Sequence, residues 1–486
     1  MGASFKPGTP PVLVAPGQFR RADHFYPRVL NAQIHPSVRE FFHLDCDRMV
    51  ARYCFTHPTQ NAGALRDALR YQPKYMRWGG ADLVGAIEEN GARRMVVIEV
   101  NSCPSGMKSM PTIDEDEPRG SYPRLLSRTF LPALKARARE QRLPAGGLAV
   151  IHDKNTMEAS GYAAALAELT GEPVYLAGFF DGDHEPTARF RKGVLQIFHG
   201  NRWRNMRAAF RYVTQRPWNR IPTQPKTFLM NPVVACLAGG RNKLMAARAY
   251  DLFNAEHSPD LAIRAPETVF DVEIAKVPLS IEAFGGRAVI KVPYQNAGMG
   301  VFTVTSQAEL DAFMAHDHAY KHFVVQSLIG HHAWSSKGRF GALSHIGTIP
   351  DGKGDVYAFD MRMQVGATTD GFVPIAAYAR RARAPLRESL EHAPSSWDML
   401  GTNLSLPKAD GSWDVDHARL LLLDRYDFNG LGIGLDDLIE GFVQSCLSVT
   451  AIDQMAIRMM NEQGALRPDF FSSINSDEAL LSELLV

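Results

Sequence analysis

The chain of 486 residues holds only five cysteines, Cys46, Cys54, Cys103, Cys236 and Cys446, with no CxxC pair and no metal-type spacing. An odd, scattered set excludes a disulfide framework and reads as the reduced thiols of a cytoplasmic protein. Long hydrophobic runs are missing too. None approaches the roughly 20 residues of a membrane helix, so no membrane partner is expected. Net charge is nearly absent, at +1 from 53 basic and 52 acidic side chains. Whole-chain electrostatics therefore favour no nucleic acid or membrane surface, and any anion must be gripped by local clusters. The proline-broken start, Met1 to Phe19, is too poor in apolar length to read as a signal peptide. Lys6 stands where myristoylation would want Ser or Thr. No internal repeat is visible.

What is present is an ordinary enzyme composition, 45% apolar and 22% charged, on a chain too long for one core. The patterns divide it into four stretches. Residues 1–145 carry helices from about 38 to 75, a strand near Ala81 to Val84, a turn at Glu89-Asn90-Gly91, a strand from Met95 to Asn101, and helical residues 121–141. Residues 146–240 alternate a strand at Leu148–His152, an alanine-rich helix from Met157 to Leu169, and strands at Pro173–Ala177 and Val194–Phe198. That alternation argues for a small α/β layer with parallel pairing. Residues 241–330 hold a helix from Lys243, a hairpin from Ala288 to Val304, and a strand at Phe323–Gln326. Residues 331–486 alternate strands and close with an apolar helix from about Leu435 to Met460.

The hairpin segment from Ala288 to Val304 is dense in chemistry. One strand delivers Lys291, a loop holds Gly298 and Gly300, and a second strand returns. Glycines let backbone amides approach phosphate oxygens while the lysine neutralises their charge. An ordinary hairpin with a glycine turn and a surface lysine fits the same letters. Farther along, Asp360 and Arg362 are spaced to share one face of a strand.

Taken in order, Lys243 after Asn242, the loop Pro266-Glu267-Thr268, Lys291 with its glycine loop, the strand at Gln326, and Asp360-Met361-Arg362 resemble the ATP-grasp superfamily. The resemblance implies an α/β fold of two lobes sandwiching ATP, preceded by a small Rossmann-like domain. It implies Lys243 and Lys291 on the phosphates, Gly298 and Gly300 in the flexible loop, and Gln326, Ser327 and Leu328 as the adenine hinge. Arg362 would hold the transferred phosphate, and Arg380 is a second candidate for stabilising charge. Gln326 stands where many relatives have glutamate.

Such enzymes need carboxylates for Mg²⁺, and the C-terminal region offers no matching strand. The sequence Glu99-Val100-Asn101-Ser102-Cys103-Pro104-Ser105-Gly106 lies instead near the N-terminus. On a strand Glu99 and Asn101 point to one side, and Mg²⁺ takes hard oxygens shared with phosphates. Asp82 on the preceding strand is the expected third ligand. The alternative is a buried strand ending in a hydrogen-bonded asparagine. The displaced motif resembles the circularly permuted ATP-grasp ligases, the arrangement of glutathionylspermidine synthetase and eukaryotic-type glutathione synthetase, and implies that residues 1–145 pack on residues 331–486.

The resemblance implies an ATP- and Mg²⁺-dependent ligase that activates a carboxylate as an acyl phosphate and joins it to an amine. Its partners would be a small-molecule carboxylate and amine: an amino acid, a small peptide or a polyamine conjugate. A phosphotransferase and an inactive ATP-binding module are the alternatives on the same scaffold. Oligomeric state is unreadable. Other conspicuous residues have plainer readings: His331-His332 as a surface pair, Cys103 as packing, Lys108 as a solvated loop residue. Arg202, Arg204, Arg207 and Arg211 read as a helix face or an acidic-substrate contact.

Overall fold

The computed structural model describes residues 8–295, 298, 300–338, 341–407 and 413–484, and Asn296, Ala297 and Met299 of the glycine loop lie outside them. The architecture is mixed α/β, with three principal sheets. No helix among the described residues is long and apolar enough to cross a membrane.

The first sheet is antiparallel and draws on both ends of the chain. The strand Trp78–Ile87 turns through Glu88–Ala92 into Arg93–Asn101, and its other edge pairs with Phe359–Thr368, which leads into Gly371–Arg381. Side chains alternate between faces along each strand. Leu83, Met95, Met361 and Met363 fall on one face and are buried. Against that face lies the helix Leu435–Met459, where a Cβ added at Gly441 would meet Leu83 at 3.0 Å and Met361 at 3.2 Å. The opposite face is polar and is taken up below.

The helix is buried almost all round, and several of its polar side chains are buried with it. Two of them are anchors. Asp453 is buried and accepts hydrogen bonds from the amides of Lys74 (3.0 Å), Tyr75 (2.6 Å) and Met76 (2.7 Å) and from the Tyr71 hydroxyl (2.8 Å). Gln444 does the same for the 262–264 loop, accepting from Arg264 N and donating to Ala262 O. One helix thus fixes both the entry to the 78–87 strand and the approach to the Pro266-Glu267-Thr268 loop.

The second sheet is the α/β layer. Gly147–His152 lies at its centre, parallel to Val174–Gly178 on one side and to Trp203–Tyr212 on the other, with Thr156–Thr170 as the crossover helix. Two expectations are corrected here. The 194–198 strand is not part of the parallel layer. It forms a hairpin with Ala188–Arg191 through Lys192 and Gly193, both at positive φ, and a parallel partner would need a longer crossover. The arginine-rich stretch falls on the ten-residue strand Trp203–Tyr212, with Arg202 just before it, rather than on a helix face. Met206, Ala208 and Phe210 are buried on one face and Ala209 and Arg211 on the other, while Arg207 pairs with Glu172 at 2.6 Å.

The third sheet is antiparallel, in the order Thr268–Glu273, His322–Ser327, Ala288–Lys291, Val301–Val304, over a small core that includes Ile281, Ile290, Phe313 and Phe323. Buried Asn231 fastens the first sheet to the second. It accepts from the amides of Arg77 and Trp78 and donates to the carbonyls of Trp78 and Ser102.

Removing Asp453 would strand three amides at the base of the first sheet. Asp453→Ala should lower unfolding stability by about 3 kcal/mol or more, since breaking a buried charged anchor leaves its donors unsatisfied. The urea midpoint of the variant checks this, and a change within about 0.5 kcal/mol would show that helix and strand entry are held by packing alone.

Candidate active site

The polar face of the first sheet is set by register. Asp82 lies opposite Glu99 on one neighbour and opposite Arg362 on the other, and Arg362 lies opposite Tyr378. One row farther along, Asp360 lies opposite Arg380. One row thus sets two carboxylates, Glu99 and Asp82, beside Arg362 and Tyr378, and the next sets Asp360 beside Arg380. Asp82 Oδ2 accepts from Arg362 Nη2 at 2.7 Å and lies 3.0 Å from Arg380 Nη2, while Arg380 also grips Asp360 with two hydrogen bonds. Burial alone would raise the Asp82 carboxyl, but Arg362 and Arg380 hold it well below the usual range. Asp360, more dependent on Arg380 alone, is pushed upward by burial.

Glu99 differs from its neighbours. Among the described residues no arginine pairs with it; Lys243 Nζ lies 3.5 Å from it. Lys243 opens the helix Lys243–Glu256, with Asn242 as the cap accepting from Met245 N, and its ammonium also donates to Gln295 O at 2.7 Å. Lys291 reaches the same strand from the third sheet and donates to Ile98 O at 3.1 Å. Burial lowers its ammonium to about 8, against the pull of Glu99. Three distant segments thus bring one carboxylate and two lysines together.

Two adjoining cavities meet at this point. One, of about 410 Å³, runs past Tyr250, Ile263 and Thr268, and the other, of about 880 Å³, runs past Asp82, Arg362 and Lys154. Both are walled by Glu99, Arg241, Lys243, Lys291 and Gln326. The larger is lined, among the described residues, by seven lysine and arginine side chains against four carboxylates. That imbalance, in a partly desolvated space, favours anions over cations.

The remaining expected residues are placed as follows. Gly298 and Gly300 have φ of +75° and +67°, and a Cβ at Gly300 would fall 2.2 Å from Gln295 Oε1, so the tight turn over the cavity depends on their being glycine. Gln326 donates to Thr268 Oγ1 at 2.9 Å, and its Oε1 is buried with no partner beside both cavities. The hinge amides are otherwise engaged: Ser327 N donates to Glu267 O, and Leu328 N to Ser336 Oγ. The hinge amides of Ser327 and Leu328 are thus not free to donate, and Gln326 Oε1 is a side-chain acceptor left open beside them. Asn101 faces the cavity, but its Oδ1 accepts from Arg241. No group of three or more His, Cys, Asp or Glu among the described residues is arranged to hold a metal ion.

Comparison with known proteins finds similarity to solved structures alone. No family model and no curated protein matches the chain. Among solved structures it is similar to a provisionally named gamma-glutamylcysteine synthetase from Methylobacillus flagellatus KT, with 12% identity and a TM-score of 0.42, over 87% of this chain and 99% of that one. It is also similar to a glutathione synthetase-like effector from Globodera pallida, at 12% identity and a TM-score of 0.35, over 76% and 87%. A RimK-domain ATP-grasp protein from Sphaerobacter thermophilus follows at 14% and 0.27, over 50% and 92%. At such identities and scores, no substrate or reaction carries over from them to this chain.

Several cavity residues carried no signal in the motifs. Lys108, expected to be solvated, is buried: Nζ donates to Asn155 Oδ1 at 3.3 Å and lies 4.9 Å from the Tyr26 ring centre. The loop carrying it is drawn inward by buried Glu158, which accepts from Gly106 N and Met107 N. Asp153, Lys154 and Asn155 follow the central parallel strand directly, and Arg241 precedes Lys243 by two residues. The signal available was positional, since the carboxyl ends of parallel strands form the binding crevice of such layers.

Lys154 supplies a pH test. Burial, with repulsion from Arg241, brings its ammonium from 10.5 down to about 7. Between those values the unfolded chain keeps a proton that the folded chain has lost, so stability rises with pH across the interval and the cost persists below it. Lys154→Met should flatten that rise in ligand-free protein, followed by thermal midpoint from about pH 7 to about pH 10. An unchanged slope would place the ammonium in contact with bulk water.

Proposed function

We propose that the chain is an ATP- and Mg²⁺-dependent ligase of the ATP-grasp type, which activates a carboxylate as an acyl phosphate and joins it to an amine, releasing ADP and phosphate. The observation that carries this reading is the convergence of Glu99, Lys243 and Lys291 where the two cavities meet. A carboxylate flanked by two lysines, on the wall of an anion-attracting space, suits a polyphosphate and its cation. In this reading residues 1–145 and 331–486 make the catalytic lobe, 241–330 the nucleotide lobe, and 146–240 the substrate unit.

Mg²⁺ typically binds through one or two carboxylates, waters and substrate phosphates. Glu99 fits that requirement as the carboxylate of the row without an arginine on it. Asp82 and Asn101 are held by arginines, so in this state they orient Arg362, Arg380 and Arg241. Bound Mg²⁺ would neutralise charge on the β- and γ-phosphates. Lys243 and Lys291 would bind the phosphate oxygens, and the glycine turn would bring amides over them. Gln326 Oε1, lacking a donor, would accept from a nucleotide amino or hydroxyl group. Arg362 and Arg380 are held rigid by Asp82 and Asp360, so they can stabilise charge developing on the transferred phosphoryl group without reorganising.

ADP and phosphate release should require ATP, Mg²⁺, a carboxylate and an amine together, measured across pooled substrates. Glu99→Gln should reduce turnover by about a hundredfold or more, as loss of a preorganised electrostatic group does. Lys291→Met should weaken ADP binding by about tenfold, the loss of one charge-assisted contact. Phosphate transfer to a substrate hydroxyl without amine dependence would instead make the protein a phosphotransferase. Full turnover in Glu99→Gln would remove the proposed metal strand.

A further inference from the structure

The larger cavity continues beyond the proposed phosphate site to the carboxyl ends of the Gly147–His152 and Trp203–Tyr212 strands. These are the two strands between which the order of the parallel layer reverses. Three cations gather there, and among the described residues no carboxylate pairs with any of them. Lys108 Nζ rests on Asn155 Oδ1, and Lys154 Nζ donates to Cys103 O at 2.9 Å. Arg241 is nine-tenths buried, gives one nitrogen to Asn101, and leaves Nε with no partner among the described residues. The nearby carboxylates are already occupied. Asp153 accepts from Thr214 N and Gln215 N, and Glu158 from Gly106 N, Met107 N and the Tyr162 hydroxyl.

The same corner presents the start of the helix Thr156–Thr170. Asn155 stands at its cap position with φ of +43° and makes no capping hydrogen bond. Its side chain turns instead to Lys108 and to Ser105 Oγ, at 2.6 Å. Ser105 Oγ also accepts from the Tyr212 hydroxyl at 2.8 Å, which leaves its own proton to donate. The positive end of a helix, an uncommitted hydroxyl and an unpartnered buried guanidinium nitrogen all favour a negative charge.

We propose that Lys108, Lys154 and Arg241 form a second anion subsite, which takes a carboxylate of the substrate that is not being activated. The substrates it selects are amino acids or peptides with a free carboxylate, and polyamines are repelled. The role given to this carboxylate rests on the ligase reading; the binding of an anion here does not.

Calorimetric titration with L-glutamate, succinate and spermidine, each with and without saturating ADP, tests the assignment. L-Glutamate or succinate should bind and spermidine should not, and the binding should survive ADP. Lys108→Met and Lys154→Met should each weaken it by about tenfold, the loss of one charge-assisted contact, while ADP affinity is kept. In the wild-type protein L-glutamate should shield Lys154 from reductive methylation, read by peptide mass, so the test does not depend on the variants folding. Absence of anion binding, displacement by ADP, binding of spermidine, or unshielded Lys154 would each overturn the subsite. Anion binding in a protein that never binds ADP would leave the subsite standing and sink the ligase reading.

Discussion

Much of the molecule hangs on the position of one strand, Trp78–Ile87, between Arg93–Asn101 and Phe359–Thr368. Because side chains alternate by strict period two, this pairing decides both faces at once. A shift of this strand by one residue would turn Leu83 into the cavity and Asp82 into the helix that covers the other face, away from Arg362. The register is held where it is by matched incentives on each side: apolar burial beneath, and a balanced row of acids and arginines above. Buried ions are costly unless paired, and here Asp82, Asp360, Arg362 and Arg380 supply one another's partners.

That balance explains what the cavity attracts. The four ions of the sheet floor nearly cancel, and Asp153 and Glu158 are satisfied by backbone amides. The cations left over are Lys108, Lys154, Arg241, Lys243 and Lys291, with Glu99 as the counterweight. A chain of net charge +1 thus builds a local cationic space without a basic surface, by spending its buried carboxylates on internal donors.

The sequence made much of this legible, though unevenly. Strands with β-branched alternation, such as 95–101 and 323–326, and the glycine turn at 298 and 300 are read directly, because period and φ are local properties. The displaced Glu99-Val100-Asn101 strand was visible as a motif, and the structure brings it beside Lys243 and Lys291. The arginine-rich stretch was misread because its arginines hid a strand, Trp203–Tyr212, whose second half from Ala208 on is buried on both faces. Lys108 was misread because its burial follows from Glu158, fifty residues away, gripping the loop amides. The partners chosen by Asp82, Asn101 and Leu328 were illegible for the same reason: cross-strand and loop partners depend on register, which the letters do not print.

The central place of the 78–87 strand also bears on how the chain is made. One of its edges pairs within a few residues, but the other waits for Phe359–Thr368, and the apolar face waits for Leu435–Met459. At ribosomal speeds of about 5–20 residues per second, that interval lasts on the order of tens of seconds. Throughout it a hydrophobic hairpin with an open edge stands ready to pair with a neighbouring chain. Nascent and truncated forms ending before residue 359 are therefore the aggregation-prone species of this protein, and the last hundred residues act on its first hundred as a cover that arrives late.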